Sequence, residues 1–269
     1  YDHTTDLYGS YDERAFSQDN YSTPESRYLT TTYTDICKWA NLSTQALEGI
    51  ESFRPNATTA EVKQLDYMRG QCLFNRALAY WHGQIFFEMN ADGKGLPIID
   101  KVISDAEGVK RRRNTVKECW QFMIDDLKEA CTLLTEHRSS IDAAGEYRAT
   151  YWAAMGLLAK VYMQSLYIFP ENKVAAKDVM KEIIETSGKT LVPYDVYADM
   201  FYGNEANEHN SESLYEITMT TDYTQDGPWA GYTTGSGMPT VYAPWYVNIN
   251  VRFRAGKEDV IDPYTLEND

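Results

Sequence analysis

Residues 58–89 read TTAEVKQLDYMRGQCLFNRALAYWHGQIFFEM. The run opens on Thr58-Thr59-Ala60-Glu61, a capping box in which the Thr58 hydroxyl can accept from the third helical N–H while Glu61 reaches back. One long helix is predicted from that cap to about Met89. Near its end it is strongly apolar (Leu78, Ala79, Tyr80, Trp81, Ile85, Phe86, Phe87), which predicts burial on most sides.

Working outward, a helix is predicted upstream from Leu29. Tyr33, Ile36, Cys37, Ala40 and Leu47 recur there at three- and four-residue steps, and Pro55-Asn56 closes it. Downstream, residues 90–114 form a long connection. Asn90, Asp92, Lys94 and Gly95 mimic the start of a calcium loop, but Lys94 and Lys101 stand where oxygen ligands are needed, so a turn is expected. The basic run Lys110–Arg113 reads as a solvated loop. Thr115-Val116-Lys117-Glu118 is a second capping box. Val116, Trp120, Met123, Leu127, Ala130 and Leu134 then form one apolar stripe. A fourth helix is predicted over 149–169, stopped by Pro170, with Gly156 permitting close approach of a neighbour. A fifth runs from Asn172 to Ser187, with Gly188 after its end.

The helices pair as two antiparallel hairpins, 29–53 with 59–89 and 115–137 with 149–169. Stacked helix pairs are the architecture of helical-repeat proteins. The hairpins start about 85 residues apart rather than the ~34 of a tetratricopeptide array, so any such relation is divergent. The expected fold is therefore mainly α: tetratricopeptide-like hairpins forming a platform over 29–189, after an extended segment over 1–28. An irregular, loop-rich C-terminal ligand lobe covers 190–269, with a short strand-like run at Ser213–Met219.

Composition narrows the function. The 269 residues carry 40 Asp+Glu against 25 Lys+Arg, a formal charge of −15 that repels phosphate backbones and argues against nucleic-acid binding. No apolar run approaches the ~20 residues of a membrane span. Cys37, Cys72, Cys119 and Cys131 form no CxxC pair. They read as small buried hydrophobes, with a Cys37–Cys72 bridge open in an oxidising compartment. The four histidines are scattered, with no zinc-binding spacing, and no cofactor motif is present.

The 21 tyrosines and six tryptophans matter most after Thr190. Trp229, Tyr232, Tyr242 and Trp245 sit in Gly/Pro loops flanked by Asp226, Asn248 and Asn250. Sugars present apolar C–H faces ringed by hydroxyls, so aromatic platforms with polar edges suit them. These four are the candidate ligand-binding residues, although aromatics that stitch loops to helices would look the same. From Thr190 to Val251 there is no Lys or Arg against eight acids, so a neutral oligosaccharide, or a peptide, fits better than an anionic glycan. Catalysis by paired carboxylates would draw on Glu205, Glu208, Glu212 and Glu216. The all-helical glycoside hydrolase fold that uses such pairs wants more helices than the five counted here.

Six pieces, in order, carry a likeness to a known family. They are Tyr33-x-x-Ile36-x-x-x-Ala40-Asn41; Arg76-Ala77-Leu78-Ala79-Tyr80; Gly95-Leu96-Pro97-Ile98; Ile124-Asp125-Asp126-Leu127-x-x-Ala130; Arg148-Ala149-Thr150 with the helix after it; and Glu212-Ser213-Leu214-Tyr215-Glu216-Ile217. Together they resemble the SusD/RagB family of outer-membrane nutrient-binding lipoproteins. The resemblance spans Leu29 to Ile217, and its motifs carry fold rather than binding. It implies a non-enzymatic cell-surface binder of an extracellular oligosaccharide, or of a peptide. It also implies delivery to a TonB-dependent, SusC-like transporter, and an N-terminal lipid anchor on the outer face of the outer membrane. That family's chains are longer and begin at a lipid-bearing Cys. The expectation is that these 269 residues are part of such a chain, with the ligand lobe incomplete.

Overall fold

The computed structural model describes residues 9–10, 27–88, 93–103, 110–138, 148–201, 210–216 and 251–252. Among these residues five α-helices dominate: α1 (Arg27–Phe53), α2 (Thr59–Phe87), α3 (Val116–Leu133), α4 (Tyr151–Gln164) and α5 (Lys173–Thr186). The chain divides into two units, Thr32–Ile217 and Tyr1–Thr31 with Thr218–Asp269. In the second, β1 (Gly9–Ser10) pairs antiparallel with β2 (Val251–Arg252). Among the described residues no helix is long and apolar enough to cross a membrane.

Both capping boxes form. Thr58 accepts from the Glu61 N–H and Thr115 from the Glu118 N–H, and each glutamate carboxylate accepts from the backbone N–H of its threonine. These bonds satisfy donors that a helix start leaves orphaned. They also hold both carboxyls below the usual glutamate range. Gly188 follows α5 with φ +73°, the left-handed cap that a glycine tolerates.

The hairpins pair as the sequence indicates. Tyr33 meets Phe87, Thr44 meets Arg76, Glu51 meets Arg69 and Arg54 meets Asp66, so partners step in opposite directions along α1 and α2. Arg69–Glu129, Arg76–Asp126 and Tyr80–Phe122 do the same for α2 and α3. The chain turns back after α3, where Tyr151 N–H donates to His137 O, and α4 then packs on α3 and α5 on α4. The α2 helix is thus central, with α1 and α3 on two of its sides.

At its middle lies a buried ion pair. Arg76 is 8% and Asp126 5% exposed, and the guanidinium donates through Nε and Nη2 to the two carboxylate oxygens, each at 2.8 Å. Its Nη1 donates to Thr44 Oγ1 (3.1 Å), which donates onward to Ile99 O (2.7 Å), and its Cζ lies 4.7 Å from the Phe122 ring centroid. One turn later the Tyr80 hydroxyl donates to Pro97 O and accepts from Ile99 N–H. The four-residue spacing of Arg76 and Tyr80 therefore clamps three helices and the 95–99 turn together.

Three expectations are corrected, and the open alternative of a Cys37–Cys72 bridge is closed. The basic run is not simply solvated. Arg111 donates to Ile98 O and to Asp100, and Arg113 donates to the carbonyls of Gly95, Lys94 and Phe87, which the short backbone pairing of 93–96 with 114–116 does not engage. Cys37 and Cys72 are free thiols, as are Cys119 and Cys131. With Thr44 opposite Arg76, Cys37 lies level with Gly83, about 16 Å along α2 from Cys72 and beyond disulfide reach. Burial pushes the Cys119 thiol up to about 11 and the Cys131 thiol to about 12. The end of α2 is not buried on most sides: Ile85 is 51% and Phe86 36% exposed, since α1 and α3 cover only two flanks. Finally, residues 213–216 form no strand. They are an irregular segment, bent at Leu214, laid on helices, with Tyr215 edge-on to Phe74 and Leu214 against Gly156, where an added Cβ would come within 3.0 Å.

Two predictions follow from these contacts. Arg76→Met strands a buried carboxylate and lowers unfolding free energy by about 3–5 kcal/mol, whereas Arg76→Met with Asp126→Leu recovers most of the loss. Urea denaturation of the singles and the double checks this, and additive losses would contradict it. The depressed Glu61 and Glu118 carboxyls contribute stability that is present above the ordinary glutamate range and is lost as pH falls through their folded values. Glu61→Gln with Glu118→Gln should flatten the acid limb of a stability–pH curve.

Candidate functional site

Trp229, Tyr232, Tyr242 and Trp245, with Asp226, Asn248 and Asn250, lie outside the described residues. So do Glu205 and Glu208. Glu212 has a structural role, its carboxylate accepting from Val192 N–H at 3.1 Å. Among the described residues no three His, Cys, Asp or Glu side chains converge to hold a metal ion.

The helical unit does gather a polar–aromatic surface. Helices α2 and α4 both run antiparallel to α3, so they are parallel to each other and flank a seam above it. On α2 the stripe Phe74, Trp81, Ile85, Glu88 follows helical spacing along this seam, and Gly156, Lys160, Gln164, Tyr167 answer it on α4 and the turn after it. The lower part of the seam is filled by Leu214 on Gly156 and Tyr215 on Phe74. The upper part is bridged by side chains. Trp81 Nε1 donates to Gln164 Oε1 (2.6 Å), and the Lys160 ammonium stands 5.2 Å from the Trp81 ring.

At the top, three elements meet on one carboxylate. Glu88 caps the C-terminus of α2, an unfavourable place for a negative charge, so it needs other donors. It has three: Trp120 Nε1 (3.0 Å) from the second turn of α3, the Tyr167 hydroxyl, and Gln84 Nε2 (3.2 Å). Trp120 Nε1 is shared with the Tyr167 oxygen at 3.1 Å. Tyr167 is placed by the turn after α4, in which Ile168 and Phe169 N–H both return to Ser165 O. Burial and the adjacent carboxylate push the Tyr167 phenol well above its ordinary value. Yet the residue is 59% exposed.

Sequence reading did not single out Glu88, Trp120 or Tyr167 as a cluster. The signal was the matched spacing of 81, 85, 88 and 160, 164, 167, legible only once α2 and α4 are known to lie parallel.

A family model described as SusD-like, starch-binding and associating with the outer membrane matches residues 2–163. The chain belongs to the SusD-like family. Solved structures share the fold. A SusD-like protein of Bacteroides fragilis is 22% identical at TM-score 0.61, covering 82% of this chain and 41% of its own. A protein crystallised with xylogluco-oligosaccharide is 20% identical at TM-score 0.63, covering 90% and 44%. Surface glycan-binding protein A of Bacteroides thetaiotaomicron, in complex with laminarihexaose, is 22% identical at TM-score 0.56, covering 74% and 39%. This SusD-like chain thus spans less than half the length of these three. No curated protein matches it.

Removing the Glu88 acceptor should destabilise the end of the platform. Glu88→Leu leaves the Gln84 amide without its partner and breaks the three-way junction, at a cost of about 1–3 kcal/mol. Urea unfolding followed by tryptophan fluorescence measures it, and an unchanged midpoint would contradict the junction's role.

Proposed function

We propose that this SusD-like chain belongs to a cell-surface binder that captures an extracellular neutral oligosaccharide and hands it to a TonB-dependent, SusC-like transporter. The family match over residues 2–163 carries the reading. Relatives of the same fold bound to xylogluco-oligosaccharide and to laminarihexaose support it. The outer face of the outer membrane is the proposed location, reached through a lipid anchor.

The proposed binding surface in the C-terminal lobe uses Trp229, Tyr232, Tyr242 and Trp245 as stacking faces, with Asp226, Asn248 and Asn250 bonding hydroxyls at the edges. The absence of Lys and Arg from 190 to 251 favours an uncharged ligand. No bond is made or broken in the ligand. Affinity comes from apolar sugar faces leaving water against aromatic rings, and from hydrogen bonds that fix orientation.

Calorimetric titration against laminarihexaose, maltoheptaose, a xylogluco-oligosaccharide, a uronic-acid oligosaccharide and an unstructured peptide tests the reading. The expected result is binding of at least one neutral glycan without turnover. Trp229→Ala or Trp245→Ala should weaken it by roughly tenfold, the equivalent of about 1.4 kcal/mol. Peptide binding alone would transfer the function to peptides, and release of shortened glycan would make the protein a glycoside hydrolase. Co-purification with a large β-barrel protein checks the transporter partnership.

A further inference from the structure

Surface tyrosines ordinarily pack the ring and leave the hydroxyl in water, because the ring is the apolar part and the hydroxyl the wet end. Tyr167 is the reverse. Its hydroxyl is turned inward between the Glu88 carboxylate and the Trp120 indole N–H, while 59% of the residue stays exposed. The inward bonds fix the ring, which therefore loses little rotamer freedom if something settles on it. On the same stripe of α2 as Glu88 lie the exposed Ile85 and the Trp81 indole, itself held through its N–H by Gln164.

The seam ends there by construction. Leu214 and Tyr215 fill its lower part, so the rings and polar groups of the upper part form a bounded patch. Its charged groups include one carboxylate, Glu88, engaged by three donors, and one ammonium, Lys160, drawn over the Trp81 ring. Amide, phenol and carboxylate edges around apolar faces match a ligand whose faces are C–H and whose rim is hydroxyl.

We propose that the helical unit carries a saccharide contact of its own, in which the pinned Tyr167 ring stacks on the apolar face of a neutral sugar residue, with Trp81, Ile85 and Gln164 beside it. This contact rests on the neutral-oligosaccharide reading and extends it from the C-terminal lobe to the helical platform. Tyr167 is a binding residue; Glu88 and Trp120 position it.

The test uses the full chain and whichever of laminarihexaose, maltoheptaose and the xylogluco-oligosaccharide binds most tightly. Tyr167→Ala should weaken binding by roughly tenfold, and Tyr167→Phe, which keeps the ring and loses the pin, by less than about threefold. Thermal unfolding identifies variants that are folded. Should Tyr167→Ala fail to fold, the wild-type protein with 13C-labelled tyrosine provides the same answer, its Tyr167 ring resonances being assigned through Tyr167→Phe. Those resonances should shift at saturating glycan. Undiminished binding by folded Tyr167→Ala, or unmoved ring resonances in a protein that does bind, overturns this contact and leaves the proposed function standing. Failure of the wild-type protein to bind any of the three glycans overturns both.

Discussion

A buried guanidinium governs the arrangement of the helical unit. Arg76 is fully charged in any protein, so its removal from water must be matched by acceptors in fixed places. Asp126 on α3 supplies two and Thr44 on α1 a third, while the Phe122 ring covers its plane. Apolar stripes alone would let α1, α2 and α3 slide past one another by a turn at modest cost. A slide that separates Arg76 from Asp126 leaves an uncompensated charge in the core, which is far more expensive. The hydrophobic surfaces bring the helices together, and the ion pair sets their register.

That register reaches the surface. Thr44 passes the constraint to Ile99, and Tyr80 ties Pro97 and Ile99 to the same helix, so the turn after α2 is fixed from below. Arg111 and Arg113 fix it from the other side by bonding its carbonyls. Glu88 sits where α2 gives way to this connection. The polar–aromatic cluster at the top of the α2–α4 seam is thus placed by a chain of bonds that starts in the core.

Much of this was legible in the sequence, and what was legible shares a cause. The capping boxes at Thr58 and Thr115, the stripe from Val116 to Leu134 and the cap at Gly188 depend on neighbours within four residues along the chain, and sequence displays such neighbours directly. The likeness of Arg76-x-x-x-Tyr80 and Ile124-x-Asp126 to a known family was visible too, though not that Arg76 and Asp126 bond each other. What was misread depends on distant partners. Residues 213–216 have strand-like composition but meet helices rather than a neighbouring strand. Ile85 and Phe86 look buried by type, yet α1 and α3 cover only two flanks of α2. Tyr167 looked like one more aromatic before a proline. Its distinctive feature, a hydroxyl turned inward, is a relation to Glu88 and Trp120 that no local pattern encodes. The four aromatics from Trp229 to Trp245 were chosen for residue type and flanking glycines, and composition alone assigns them no geometry.

The segment at Leu214 and Tyr215 also has a kinetic meaning. Each of the five helices packs mainly against the next one in sequence, a topology of low contact order in which pairing can proceed as the chain emerges. Leu214 and Tyr215 are different. They must reach back to Gly156 and Phe74, and no groove exists to receive them until α2 and α4 have both docked on α3. Closure of that groove therefore comes late. Until it happens, the apolar floor between the two helices faces water, and a nascent chain is most open to association with its neighbours in that interval.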